Sequence, residues 1–127
     1  MNILIDTHIL LWSLYKTEKL SSRTISLLSN DDNLKYISLA SVWEIEIKNS
    51  IGKLDYDASE VLKDAEEAGF KVLDIKKKHI FGLHNLERIH NDPFDRLLIS
   101  QAETEELSFI TGDSKIKQYG KDFVIMN

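Results

Sequence analysis

The sequence predicts an α/β fold: a mainly parallel sheet of about five strands, covered by helices on both faces in three α/β/α layers, built by residues 1–127 as one unit. Three observations predict it. Apolar stretches of strand length alternate with segments of helical period, which implies right-handed βαβ crossovers. No repeat, low-complexity tract or Pro/Gly-rich linker interrupts that alternation, and Pro93 is the only proline. A length of 127 residues with 43% hydrophobic content supports one proper core and leaves no room for two.

The elements follow in order. Asn2 to Ile5 reads as a first strand, Thr7 to Tyr15 as a helix dense enough in apolar residues to pack on a sheet, and Ser21 to Ser29 as a second short helix. Lys35 to Ser38 is the next strand, followed by a helix from Leu39 to Ile51 that Gly52 closes. An Asp cap and a terminal glycine bound the helix from Asp57 to Ala68, with Gly69 behind it. Phe70 to Ile75 is a third strand, Lys76 to Leu83 one or two helical turns, and Asn85 to Asn91 a loop. Asp92-Pro93 marks a helix start, because the Asp caps free N–H groups and the proline needs none. That helix is expected to run to Glu106, before a strand from Leu107 to Thr111, a short helix from Asp113 to Tyr119 and a last strand from Asp122 to Met126.

Composition narrows the function classes. No cysteine is present, so disulfides, thiolate metal sites and a cysteine nucleophile are excluded. No apolar run approaches the ~20 residues that span a bilayer. The N-terminus lacks a basic segment and meets an acid at Asp6, so neither a signal peptide nor a membrane partner is expected, and the reading is cytoplasmic. The net charge of −5 argues against diffuse binding of nucleic acid. It still allows a local positive charge, if carboxylates gather around a divalent cation.

Ligands of parallel sheets bind outside the carboxyl ends of the strands. Asp6 follows the first strand directly, and Asp113 follows the fourth after Gly112. Glu44 lies in the first turns of the helix after strand two, and Asp95 in the first turn of the helix that leads into strand four. Topology thus carries Asp6, Glu44, Asp95 and Asp113 to one rim. Crowded carboxylates repel one another, and a hard cation such as Mg²⁺, which prefers oxygen ligands, resolves the conflict. The chemistry suggested is metal-dependent phosphodiester hydrolysis.

Each acid also has a plainer reading. Asp6, Asp92 and Asp113 precede helices and suit capping, Asp95 suits the helix dipole, and Glu44 can pair with Lys48 one turn on. On a helical wheel both Glu44 and Glu46 border the apolar stripe, so periodicity does not choose between them.

At these residues the sequence resembles a PIN domain, in particular the VapC-like toxins of bacterial toxin–antitoxin pairs. Leu4-Ile5-Asp6-Thr7-His8-Ile9-Leu10-Leu11-Trp12 is similar to the family's opening block, and Ser38 to Lys48 with Gly52-Lys53-Leu54 to its second. His90-Asn91-Asp92-Pro93-Phe94-Asp95-Arg96-Leu97-Leu98-Ile99-Ser100-Gln101-Ala102 is similar to the third, and Thr111-Gly112-Asp113 to the fourth. Ser100 stands where alanine is more usual, and the proline often found before the third block is missing. The resemblance implies a Mg²⁺- or Mn²⁺-dependent ribonuclease acting on RNA, with Asp6, Glu44, Asp95 and Asp113 as catalytic metal-site acids. Asp6, Asp95 and Asp113 would hold the metal or its waters, and Glu44 would bind metal or orient the attacking water. It implies a cognate antitoxin as partner and a homodimer paired through exposed apolar helix surface. Within the third block, Asp95 is chosen over Asp92 because it precedes Arg-Leu-Leu-Ile, while Asp92 has the better cap position.

Around the acids, Thr7, Ser41 and Thr111 carry hydroxyls suited to holding them, or are ordinary polar residues at element ends. Lys48, Arg96, Lys115 and Lys117 are candidates for phosphate contact, against the commoner reading of solvated faces. His79, His84 and His90 lack the spacing of helical zinc ligands. Lys76-Lys77-Lys78-His79 is a short basic run able to touch RNA, against the commoner reading of a solvated helix start, and Trp12 and Trp43 read as core or subunit contact and not as base-stacking platforms. Two rival folds of phosphate chemistry fit poorly: a receiver domain wants adjacent acids after strand one, and an aspartyl phosphatase wants a second Asp where His8 stands. A non-catalytic PIN-like module that only binds RNA or protein is the remaining alternative.

Overall fold

The computed structural model describes residues 1–127, and its elements alternate as the sequence predicts. Strands β1 (Asn2–Ile5), β2 (Leu34–Ser38), β3 (Lys71–Leu73), β4 (Ser108–Thr111) and β5 (Val124–Met126) form one sheet in the order β3-β2-β1-β4-β5. All four pairings are parallel. The helices are α1 (Thr7–Tyr15), α2 (Ser22–Ser29), α3 (Leu39–Ser50), α4 (Ala58–Glu67), α5 (Lys77–Phe81), α6 (Pro93–Thr104) and α7 (Ser114–Lys117).

Side chains two apart in a strand share a face, so β1 feeds two cores. Ile3 and Ile5 pack with α1, α4, Ile37 and Ile110, and Leu4 packs on the other side with α6, Phe109 and Ile116. All three β1 residues are fully buried. Burying each side chain contributes about 1.5–3 kcal/mol, which anchors the strand that presents Asp6.

The boundaries differ from expectation by a residue or two at several places, β3, α6 and a turn after α1 among them. β3 stops at Leu73 because its only partner, β2, ends at Ser38, whose hydroxyl instead accepts from Ala40 N–H to start α3. Helix α6 ends at Thr104 because Glu106 turns left-handed at φ 56°. Leu107 N–H then bonds back to Ala102 C=O at 2.8 Å, a reversal usually made with glycine. Thr17–Lys19 forms a 3-10 turn that no sequence signal announced. The cap at Gly69 does follow the rule, with φ 93° where a side chain would be strained.

Ser100, unusual in its motif, has a structural use. Its hydroxyl donates to His79 C=O at 2.6 Å and ties α5 to α6. A Cβ on Gly82 would lie 2.4 Å from that oxygen. Gly82→Ala is therefore expected to cost about 1–3 kcal/mol by overpacking, and Gly82→Ala with Ser100→Ala to cost less than the two single changes summed. Urea denaturation of the wild type and the three variants measures the coupling.

Candidate active site

The strand order reverses between β1 and β4: the chain runs outward from β1 through β2 to β3, then returns to build β4 and β5 on β1's other side. Such a switch point opens a crevice at the strands' carboxyl ends. Asp6 leaves β1 there, and its N–H bonds to Ile110 C=O of β4 at 3.1 Å.

Capping aims the acids and does not compete with a second role. Asp6 Oδ1 accepts from Ile9 N–H at 2.8 Å, which leaves Oδ2 to accept from the Thr111 hydroxyl. Asp113 Oδ1 accepts from Lys115 N–H at 2.9 Å, which leaves Oδ2 facing His90. Asp92 Oδ1 takes the cap of α6 from Phe94 N–H and Asp95 N–H, at 2.8 and 3.1 Å. Asp95 itself has no capping duty, and its Oδ2 lies 2.9 Å from His90 Nε2.

Thr111 joins two of the acids, because its hydroxyl donates to Asp6 and accepts from Asp113 N–H at 3.0 Å. Thr7 serves Glu44: its hydroxyl donates to Glu44 Oε1 at 2.6 Å and lies 3.0 Å from Ser41 Oγ. Lys48 Nζ donates to Glu44 Oε2, so each oxygen of that carboxylate is held. Glu44 is buried while Glu46 is exposed, which resolves the choice that the helical wheel left open. Thr111→Val keeps the shape and removes the shared hydroxyl. It is expected to weaken Mg²⁺ affinity or activity roughly 10–100-fold with the fold retained, read by metal titration and circular dichroism.

The acids act on one another's charge. Burial pushes Asp95 up to about 7, and the negative charges of Asp92, Asp6 and Glu44 add to that, opposed by His90. Burial likewise raises Asp6, against the hydrogen bonds from Thr111 and Ile9 that favour its charge. Partial burial disfavours the Lys48 ammonium, but its bond to Glu44 and the charges of Glu44, Asp92 and Asp95 outweigh this and raise it. The positive groups facing the acids are thus Lys48 and, when protonated, His90 beside Asp95 and His8 beside Asp6.

His90 is the residue that sequence reasoning missed. Its Nε2 lies 2.9 Å from Asp95 and 3.0 Å from Asp113, while its Nδ1 faces Asp92 N–H at 3.4 Å. One Nε2–H shared between two carboxylates fits that arrangement. His90, Asp95 and Asp113 offer ligand atoms within 4.8 Å of one another. Tyr119 fixes the loop, since its oxygen accepts from His90 N–H at 2.9 Å. A histidine five residues before an acid carries no helical ligand spacing, and only the folded loop turns it inward.

The other candidates separate. Arg96 is committed to Leu86 C=O, Glu87 C=O and the Tyr119 hydroxyl, so it braces the His90 loop and is not a free phosphate contact. Lys115 and Lys117 are exposed on α7. His79 is fully buried between Lys76 N–H and Glu105, apart from the acids, and Lys76 to Lys78 are exposed as expected. Trp12 is half-buried against the core, whereas Trp43 is 56% exposed and meets Phe94 edge to face at 5.1 Å.

The donor set is chemically suited to a hard divalent cation: carboxylates from four elements, two of them raised by burial, with a single imidazole. The PIN domain family model matches residues 3–122. Among solved structures the chain is similar to VapBC2 from Rickettsia felis bound to a DNA fragment from their promoter, with TM-score 0.69 and 18% identity, covering 100% of this chain and 98% of that one. It is similar to VapBC-1 from nontypeable Haemophilus influenzae with TM-score 0.68 and 17% identity, over 100% and 97% of the two chains. A toxin–antitoxin complex from Klebsiella pneumoniae matches with TM-score 0.62 and 18% identity, over 97% and 95%. At those identities the likeness is one of fold. No curated protein sequence matches the chain significantly.

Proposed function

Since this chain belongs to the PIN domain family, we propose that it is a divalent-metal-dependent endoribonuclease, the VapC-like toxin of a toxin–antitoxin pair. The observation that supports the catalytic reading most is the convergence of Asp6, Glu44, Asp95 and Asp113 on one crevice, with Asp95 raised to about 7 by burial and its neighbours' charge. Such a cluster is strained without a cation, and Mg²⁺ or Mn²⁺ fits its oxygen donors. The toxin reading draws on solved relatives of the same fold, one of them described as a toxin–antitoxin complex. On the same reading an antitoxin covers the acidic crevice and two copies pair in a cytoplasmic homodimer. No helix is long and apolar enough to cross a membrane.

Asp6, Asp95 and Asp113 would hold the cation, directly or through its waters. When bound, it supplies charge to polarise the phosphodiester, lowers the pKa of a water and steadies the leaving oxygen. Glu44, held by Thr7 and Lys48, would bind the metal or orient the water that attacks phosphorus. Thr111 keeps Asp6 and Asp113 in register, and His90 keeps Asp95 beside Asp113. Burial of Asp6 and Glu44 removes competing solvent there, which strengthens their charge interactions.

The direct test is cleavage of RNA by the purified chain in Mg²⁺ or Mn²⁺. Cleavage is expected, with abolition by EDTA and restoration by excess metal. Tight RNA binding without cleavage in either metal would favour a non-catalytic binding module instead.

A further inference from the structure

Beside the acids, on the α1 side, lies a cavity of about 300 Å³ lined by Asp6, His8, Trp12, Gly112 and Asp113. Two of its walls are carboxylates of the crevice, and the rest are aromatic rings and bare backbone. His8 and Trp12 stand one helical turn apart and so share a face of α1. Their ring centroids are 6.0 Å apart and their planes inclined by 52°. Gly112 lies beside the indole, where a Cβ would make van der Waals contact with the ring edge at 3.5 and 3.8 Å. The glycine therefore leaves that edge of Trp12 uncovered. Part of the indole packs on the core, His8 is exposed, and Lys19 Nζ lies 5.5 Å from the Trp12 ring centroid.

The size matches the lower end of ligand pockets, which run to roughly 300–1,000 Å³, and suits one flat ring system. Aromatic side chains take nucleobases of any sequence, because every base has a π-face. The cavity adjoins the place where a scissile phosphodiester must lie if Asp6 and Asp113 hold the metal. A nucleotide bound there puts its sugar-phosphate toward the acids and its base toward the rings.

Resting on the ribonuclease reading above, we propose that this cavity seats the base of a nucleotide flanking the scissile phosphodiester, stacked against His8 and Trp12. The pocket then contributes to substrate binding and not to the chemical step. Its loss raises KM and leaves kcat unchanged.

The test uses an RNA that the protein cuts at one site, with each flanking nucleotide replaced in turn by an abasic one. At one position the abasic substrate is expected to raise KM roughly tenfold, within the range for a lost base–aromatic stack. His8→Ala, at an exposed position, is expected to raise KM for intact RNA and to abolish most of the difference between intact and abasic RNA. That loss of additivity assigns the base to this pocket. Trp12→Phe should keep the effect, and Trp12→Leu, which retains apolar packing, should lose it. A second arm does not depend on cleavage: in a Trp43→Phe background, adenosine 5′-monophosphate with Mg²⁺ is expected to quench Trp12 fluorescence more strongly than ribose 5-phosphate. Equal KM for intact and abasic RNA at both positions, with metal-dependent cleavage intact, overturns the pocket and spares the ribonuclease. Absence of cleavage under all metals sinks the ribonuclease reading, and the fluorescence arm then decides the pocket by itself. Equal quenching by the two probes overturns it.

Discussion

Asp6→Asn is expected to abolish RNA cleavage, a loss of at least about 1,000-fold, in a protein that remains folded. The size follows from the charge. Removing one ligand of a metal that stabilises several kcal/mol of transition-state charge costs a tenfold rate for each ~1.4 kcal/mol lost. The fold survives because asparagine caps a helix as well as aspartate does, and its oxygen can still accept from Ile9 N–H. Burial already disfavours the Asp6 charge, so a neutral amide relieves a cost in the metal-free protein. Melting curves with and without Mg²⁺ separate the two effects: the variant should melt no lower than wild type without metal and should lose the metal-induced rise. Full activity at matched folding would count decisively against the assignment of Asp6.

The pH dependence gives the second large effect. In the folded, metal-free chain Asp95 sits at about 7, against 3.8 for an ordinary Asp. The native state therefore holds a proton that the unfolded state releases, and stability from this group falls as pH rises between those values. Below the lower value the contribution is fully present, and above about 7 it is gone. Asp95→Asn is expected to flatten that fall in the melting temperature across pH 5 to 7.5, in comparison with wild type. Mg²⁺ must displace the same proton, so its affinity should rise up to about tenfold per pH unit below 7 and level off above. Calorimetry in two buffers of different ionisation heat counts the proton released. A Mg²⁺ affinity that does not change between pH 6 and 8 would show that Asp95 is not among the ligands.

These effects arise from the acids' shared environment, and that environment was only partly legible in sequence. The acids could be placed on a common rim because Asp6 and Asp113 each follow a strand within a residue or two, and because Asp92-Pro93 marks where α6 begins. Glu44 could not be told from Glu46 by period alone. Burial separates them, since Glu44 turns inward to Thr7 and Lys48 while Glu46 stays in solvent. In sequence Arg96 is a candidate phosphate contact against the commoner reading of a solvated face, yet it braces a loop through two carbonyls and Tyr119. Its partners lie 9, 10 and 23 residues away, beyond any local pattern. His90 opens the third motif block but lies in a loop without period, so its approach to Asp95 and Asp113 could not be read from spacing. The wall formed by His8, Trp12 and Gly112 needs α1 and the β4–α7 turn to meet, 104 residues apart for His8 and Gly112.

By itself the amino-acid order determined the alternation of strands and helices, their caps, and which acids lie at strand ends. Hydrophobic period and capping act over a few residues, and a local pattern can encode them. Only the tertiary structure decided the sheet order, the crevice between β1 and β4, the partners of each carboxylate oxygen and the inward turn of His90. Those depend on which distant segments share a boundary and on how far water is excluded from the space between them, and the field at Asp95 exists only once they have met.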